Sequence, residues 1–218
     1  MTIRHHLSDP LLMAYAAGQL PEAFSLVVAT HLSMCDDCRA QAATFDAVGG
    51  ALIDRAEPAV MDAGSLDAVL ARLDTPASPP VRPPVRPRVR AAGLLPTPLA
   101  DYVGGDLDRV KWRSIGMGVK QAILPTDRAA SARLLYIPAG RAVPDHGHRG
   151  LELTLVLQGA FSDSSDRFGR GDVEIADQDM QHTPVAETGM DCICLAATDA
   201  PLRFTDMLPR LVQPLFRI

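Results

Sequence analysis

The sequence predicts a two-domain α + β chain: a small helical bundle over residues 1–75, a Pro/Arg-rich linker over 76–98, and an antiparallel double-sheet β-barrel over 99–218. Three observations lead there. Apolar residues recur at helical spacing before residue 75, as in Phe24, Val27, Val28, His31 and Leu32. Prolines and arginines then crowd the stretch from Thr75 to Pro98. Beyond it the apolar runs are short, rich in β-formers and bounded by Gly, Pro or Asp, and a chain of 218 residues exceeds the usual size of one domain.

In the first domain, Asp9-Pro10 reads as a helix start, with Asp as N-cap and Pro at the first helical position. Leu11, Leu12, Tyr15 and Ala16 carry the apolar stripe until Gly18 stops it. Pro21-Glu22 opens a second helix. A third is expected from Asp36 or Asp37 to Asp54, with Phe45, Val48 and Leu52 inward and Gly49-Gly50 weakening its middle. The fourth, capped by Ser65, carries Leu66, Val69, Leu70 and Leu73 on a piece too short to stand alone, so it needs a surface to pack on. A binding partner would supply one.

Residues 1–75 hold four arginines and no lysine against ten acidic side chains, about six units of negative charge. Such a surface repels phosphate and attracts a basic protein, which argues against a DNA reader. The linker cannot build a core, because proline removes backbone donors and fixes φ; it reads as an extended, solvated tether carrying Arg82, Arg86, Arg88 and Arg90. No run of about eighteen apolar residues would span a bilayer. The start, Met1-Thr-Ile-Arg-His-His, lacks the apolar core of a secretory signal and favours the cytoplasm.

Two constellations carry the chemistry. In H-L-S-M-C-D-D-C, His31 and Cys35 lie one helical turn apart and Cys38 three further on, so one nitrogen and two sulfurs can meet at one point. Cys-x-x-Cys alone could equally be a redox pair or two buried thiols. Zinc wants a fourth donor, and the candidates are His5 and His6, with His6, nearer the helix start, the better placed. In the second domain His146 and His148 are two apart, hence on one face of an extended strand, and Glu152 follows in phase. His182 is the natural fourth ligand from a neighbouring strand. Three imidazoles and a carboxylate suit zinc, manganese, iron or nickel.

The barrel strands are expected at Val110–Leu124, Ala132–Ile137, Leu153 to Gly159, Asp172–Ala176 and Cys192–Ala197, with Arg203–Ile218 a closing strand or short helix. Cys192 and Cys194 share one strand face, which suits packing of small thiols ahead of a redox or accessory metal role.

Gly140, His146, His148, Glu152 and Gly159 occupy every fixed position of the first motif of the cupin superfamily, a jelly-roll fold. The second motif departs from its usual form, with Asp177 and Asp179 where P-x-G is common and Ala186 where Asn is common. His-x-x-x-Cys-x-x-Cys with an upstream histidine, on an acidic helical domain, resembles the zinc anti-sigma factors; with a cupin half appended, the chain resembles their ChrR type. The resemblance implies one zinc on His6, His31, Cys35 and Cys38 and a second on His146, His148, Glu152 and His182. It implies a cytoplasmic, non-enzymatic repressor that holds an extracytoplasmic-function sigma factor as a 1:1 heterodimer, without contacting nucleic acid or membrane, until the cupin half answers singlet oxygen or a related oxidative stress. The competing expectation is a metal-dependent cupin dioxygenase or isomerase with an accessory zinc interaction domain.

Overall fold

The computed structural model describes residues 2–73, 93–201 and 203–204, so most of the linker and of the tail after Phe204 lies outside the described residues. Four helices come first: α1 (Asp9–Ala16), α2 (Glu22–Leu32), α3 (Asp36–Asp54) and α4 (Ser65–Leu73). The cap of α1 is Ser8, extended at φ −73° and ψ 153°, and Asp9 is already helical; Pro10 therefore still lies in the first turn, where its missing N–H is harmless. α3 runs straight through Gly49-Gly50. Its inward face, however, ends early. Phe45 packs against the core, but Val48 and Leu52, expected inward, are 55% and 66% exposed, because nothing among the described residues faces that half of the helix.

A short helix, α5 (Thr97–Val103), begins inside the stretch read as linker. The reason is burial: Leu95 and Leu99 are anchored in the core, and α5 packs on α2. A 3-10 turn at Leu107–Arg109 follows.

The expected Val110–Leu124 strand is two strands, β1 (Arg113–Gly116) and β2 (Val119–Leu124), joined by a turn in which Met117 and Gly118 both have positive φ. The remainder are β3 (Ser131–Ile137), β4 (His146–Gly147), β5 (Glu152–Gln158), β6 (Ala160–Ser162), β7 (Arg167–Gly169), β8 (Val173–Ala176), β9 (Gln181–His182), β10 (Val185–Ala186), β11 (Cys192–Thr198) and β12 (Arg203–Phe204). Six form one antiparallel sheet in the order β1-β2-β3-β11-β5-β8; β10-β6-β7 and β12-β4-β9 form two smaller sheets. Gly159, at φ +68°, turns the chain from β5 to β6 where an added Cβ would lie 2.7 Å from the Asp191 carbonyl oxygen.

The centre of the large sheet is buried on both faces. All seven residues of β11 are buried, as are Leu153 through Leu157 of β5. One face, with Val156, Cys192 and Cys194, packs against Phe161 and Phe168 of the smaller strands. The other, with Leu134, Leu153, Leu155 and Leu195, shares a single core with Phe24, Val27 and Val28 of α2. α2 thus lies across β3, β5 and β11. Both its ends are tied down by the barrel half. At the start, the Asp127 carboxylate accepts from Glu22 N–H (3.1 Å) while the Glu22 carboxylate accepts from Asp127 N–H (2.7 Å), a reciprocal cap made across the two halves. At the other end the barrel reaches His31.

Candidate metal centres

The first centre sits where α2 hands over to α3. Cys35 is the N-cap of α3 and its sulfur accepts from Cys38 N–H at 3.5 Å, so a thiolate there faces the positive end of the helix. Cys38, one turn in, returns to the same point. His6, delivered by the extended arm before α1, places Nδ1 3.3 Å from Cys35 Sγ and 3.5 Å from Cys38 Sγ. His31 completes the group: one donor atom from each of His6, His31, Cys35 and Cys38 lies within 4.8 Å of all the others.

The state of these groups suits a cation. His31 is fully buried, and burial holds its pKa down at about 4, so the ring is neutral at pH 7. Its Nδ1–H donates to the Gly171 carbonyl oxygen at 2.9 Å, which fixes the tautomer and leaves Nε2 as a bare lone pair. That Nε2 is buried and has no hydrogen-bond partner among the described residues, a penalty a coordinated ion removes. Burial pushes the Cys38 thiol up to about 11, so an ionised sulfur there needs a positive neighbour. Two nitrogens and two sulfurs converging from four directions are the donor set of a closed tetrahedral zinc site. His5 is elsewhere: its Nε2 lies 3.1 Å from Asp166 Oδ2 and its ring rests on Phe168, with centroids 4.4 Å apart.

The second centre lies inside the barrel. β4 pairs with β9 so that His146 and His182 are direct partners, and His148 follows just past the end of β4. His182 Nε2 is 3.2 Å from the Nε2 atoms of both His146 and His148. Each ring has its other nitrogen turned away from the meeting point. His146 Nδ1–H donates to Pro144 O (2.8 Å), and His182 Nδ1–H faces Asp163 Oδ2 (2.8 Å) and Glu174 Oε1 (3.1 Å). Burial lowers the pKa of His146 and of His148, which keeps both neutral. For His182 burial works the same way but is outweighed by the Glu174 and Asp163 carboxyl groups, which raise it to about 9. Three buried Nε2 atoms aimed at one point fit a transition metal.

Glu152, expected as the fourth ligand, opens β5 beside this group. Its Oε2 is 3.8 Å from His148 Nδ1 and its Oε1 accepts from Thr154 Oγ1 at 3.1 Å, so in this rotamer the carboxylate flanks His148. Asp163 and Glu174 were not singled out by spacing. They orient His182 from behind, and burial raises Glu174 to about 7, so that it readily holds a proton between Asp163 and His182. The one available signal was an acidic residue in the otherwise apolar run of β8. Cys192 and Cys194 project into the barrel with their sulfurs 3.5 Å apart, fully buried and unbridged.

A helical module that gathers two imidazoles and two cysteines, laid on a barrel that gathers three imidazoles, defines a protein of the cupin class with two candidate metal centres. Residues 101–200 match the family model described as a ChrR cupin-like domain. The chain is 66% identical over 218 residues, the full length of both, to the anti-sigma-E factor ChrR of Cereibacter sphaeroides. It also resembles a chain of the crystal structure of Rhodobacter sphaeroides SigE in complex with the anti-sigma ChrR, with 64% identity and a TM-score of 0.77 over 91% of this chain and all of that one. This chain belongs to the ChrR family of anti-sigma factors.

Proposed function

We propose that this protein sequesters an extracytoplasmic-function sigma factor in a 1:1 complex and releases it when its cupin half meets an oxidant, singlet oxygen being the leading candidate. The observation that carries the first part is the uncovered apolar face of the acidic helical half. No residue of α4 is buried; Leu66, Val69, Leu70 and Leu73 are all open, and they are joined by Val48, Leu52 and Ile53 of α3. Monomeric proteins rarely leave so much contiguous apolar helix surface uncovered, and such patches mark interaction sites. The acidic surroundings suit a basic partner, and the similar chain in complex with SigE supports a sigma factor in that place.

In this division of labour residues 1–75 hold the partner and 99–218 sense, while the stretch between them is already anchored in the core at Leu95. Zinc on His6, His31, Cys35 and Cys38 fixes the angle between α2 and α3 and so the shape of the gripping face. A second metal, zinc in the leading reading, is held by His146, His148 and His182, with Glu152 completing the set after a side-chain rotation. When bound, that metal would supply a Lewis-acidic centre. The chain's own contribution is to orient three imidazoles, to hold His182 from behind through Asp163 and Glu174, and to bury the centre inside the barrel.

The test is transcription by core RNA polymerase and an extracytoplasmic-function sigma factor co-purified with this chain. Adding the full chain should abolish transcripts at about one equivalent, and photogenerated singlet oxygen should restore them. Persistence of transcription at excess chain would refute sequestration; continued repression under singlet oxygen would refute the sensing role alone.

A further inference from the structure

The cupin half does more than lie beside the helical metal cage. Its β7–β8 turn touches the cage at two points. The Gly171 carbonyl accepts from His31 Nδ1–H, as described above. The next residue, Asp172, is 4% exposed and accepts through Oδ1 from the backbone N–H groups of Arg4 (2.6 Å) and His5 (3.0 Å), the two residues that deliver His6. Its Oδ2 accepts from Gly169 N–H at 2.8 Å, which closes the turn on itself, and Val173 N–H donates to the His5 carbonyl at 3.2 Å. Gly171 has φ +92°, and an added Cβ would lie 2.7 Å from Ile3, so only glycine lets the arm approach this closely.

Resting on the zinc reading of His6, His31, Cys35 and Cys38, we propose that the Gly171–Asp172 turn is the outer shell of the helical metal cage: one half of the molecule positions two of the four ligands held by the other. Gly171 orients His31, and Asp172 pins the arm that presents His6. Neither touches the metal; both are positioning residues. The same β-strand that starts at Val173 carries Glu174, the carboxyl group behind His182, so the turn also joins the two centres through three residues of continuous chain. The closeness of Asp172 to the cage is invisible in sequence, being contact between residues 167 and 168 positions apart.

The experiment loads the full chain with Co²⁺, whose thiolate charge-transfer band reads the sulfur-ligated cage and not the imidazole centre. The decay of that band is then followed in excess EDTA. Asp172→Ala removes the carboxylate; Arg4→Pro removes one donated N–H from the arm while leaving the cupin turn untouched. Both variants should lose the band about tenfold faster than the wild type, in line with outer-shell substitutions at metal sites. Decay within twofold of wild type in both overturns the proposal. Absence of the band in the wild type overturns instead the assignment of the cage, and a Cys35→Ser/Cys38→Ser control, which removes both cage sulfurs and keeps Cys192 and Cys194, should abolish the band and so ties it to the cage. If Asp172→Ala does not fold, Arg4→Pro alone decides.

Discussion

The two metal centres are built on opposite principles. The helical one would take its ligands from an arm, a helix end and a helix start, two nitrogens and two soft sulfurs that would fill a tetrahedral site, gathered from segments well apart in the chain. The barrel centre would take two imidazoles from strands that are already paired, His146 facing His182 across a ladder, and a third from His148 just past β4, and it backs one of them with two carboxyl groups. One metal would hold a fold together; the other would sit in a fold that exists without it. The difference teaches where each can be used. A closed sulfur cage is a clasp, and a preformed imidazole pocket with room for another ligand is a place where chemistry can arrive.

If that contrast is right, the largest effect comes from opening the clasp. Cys35→Ser with Cys38→Ser should abolish sigma binding and reduce the helical circular-dichroism signal, since structural zinc contributes on the order of 10 kcal/mol to such modules. Calorimetric titration against the sigma factor reads the first and far-ultraviolet spectra the second. Next in size, Leu70→Asp on α4 should weaken the complex about a hundredfold, about 2.7 kcal/mol, with an unchanged melting temperature, because the side chain is exposed in the free protein. A matching fall in melting temperature would place Leu70 in the fold and spoil the docking assignment.

The barrel centre should behave differently. His146→Ala is expected to lose the second metal yet leave sigma affinity within about threefold of wild type, while the oxidant-triggered restoration of transcription disappears. Loss of repression without any oxidant would erase the distinction between the two centres. A smaller change is expected for Glu152→Gln, a drop in second-metal affinity of about tenfold by competition with a chromophoric chelator. Smallest of all, His5→Ala should retain both metals by elemental analysis, where His6→Ala loses one.

Much of this is legible in the sequence. Helix spacing around Phe24 and Val27, the H-x-x-x-C-x-x-C run and the H-x-H pair survive because each is local: a few residues along one helix or strand fix where the donors point. What spacing cannot convey is assembly between distant segments. Asp163 and Glu174 sit 19 and 8 positions from His182 and meet it only because strands close into a barrel. Val48 and Leu52 obey the apolar period of α3, yet period alone does not say whether a face meets the core or a second protein. One long-range fact did leave a trace. β5 and β11 are apolar on both faces, where a barrel strand with a solvated exterior alternates, so their composition already required a cover for the outer face. α2 is that cover.

That cover would limit how often the proposed switch could be thrown. Lifting α2 would wet Leu153, Leu155 and Leu195 together and bare a greasy wall on the barrel, a state prone to clumping and to digestion by proteases. A signal that pried the halves apart would therefore leave a spent molecule, and resetting the system would fall to newly synthesised copies.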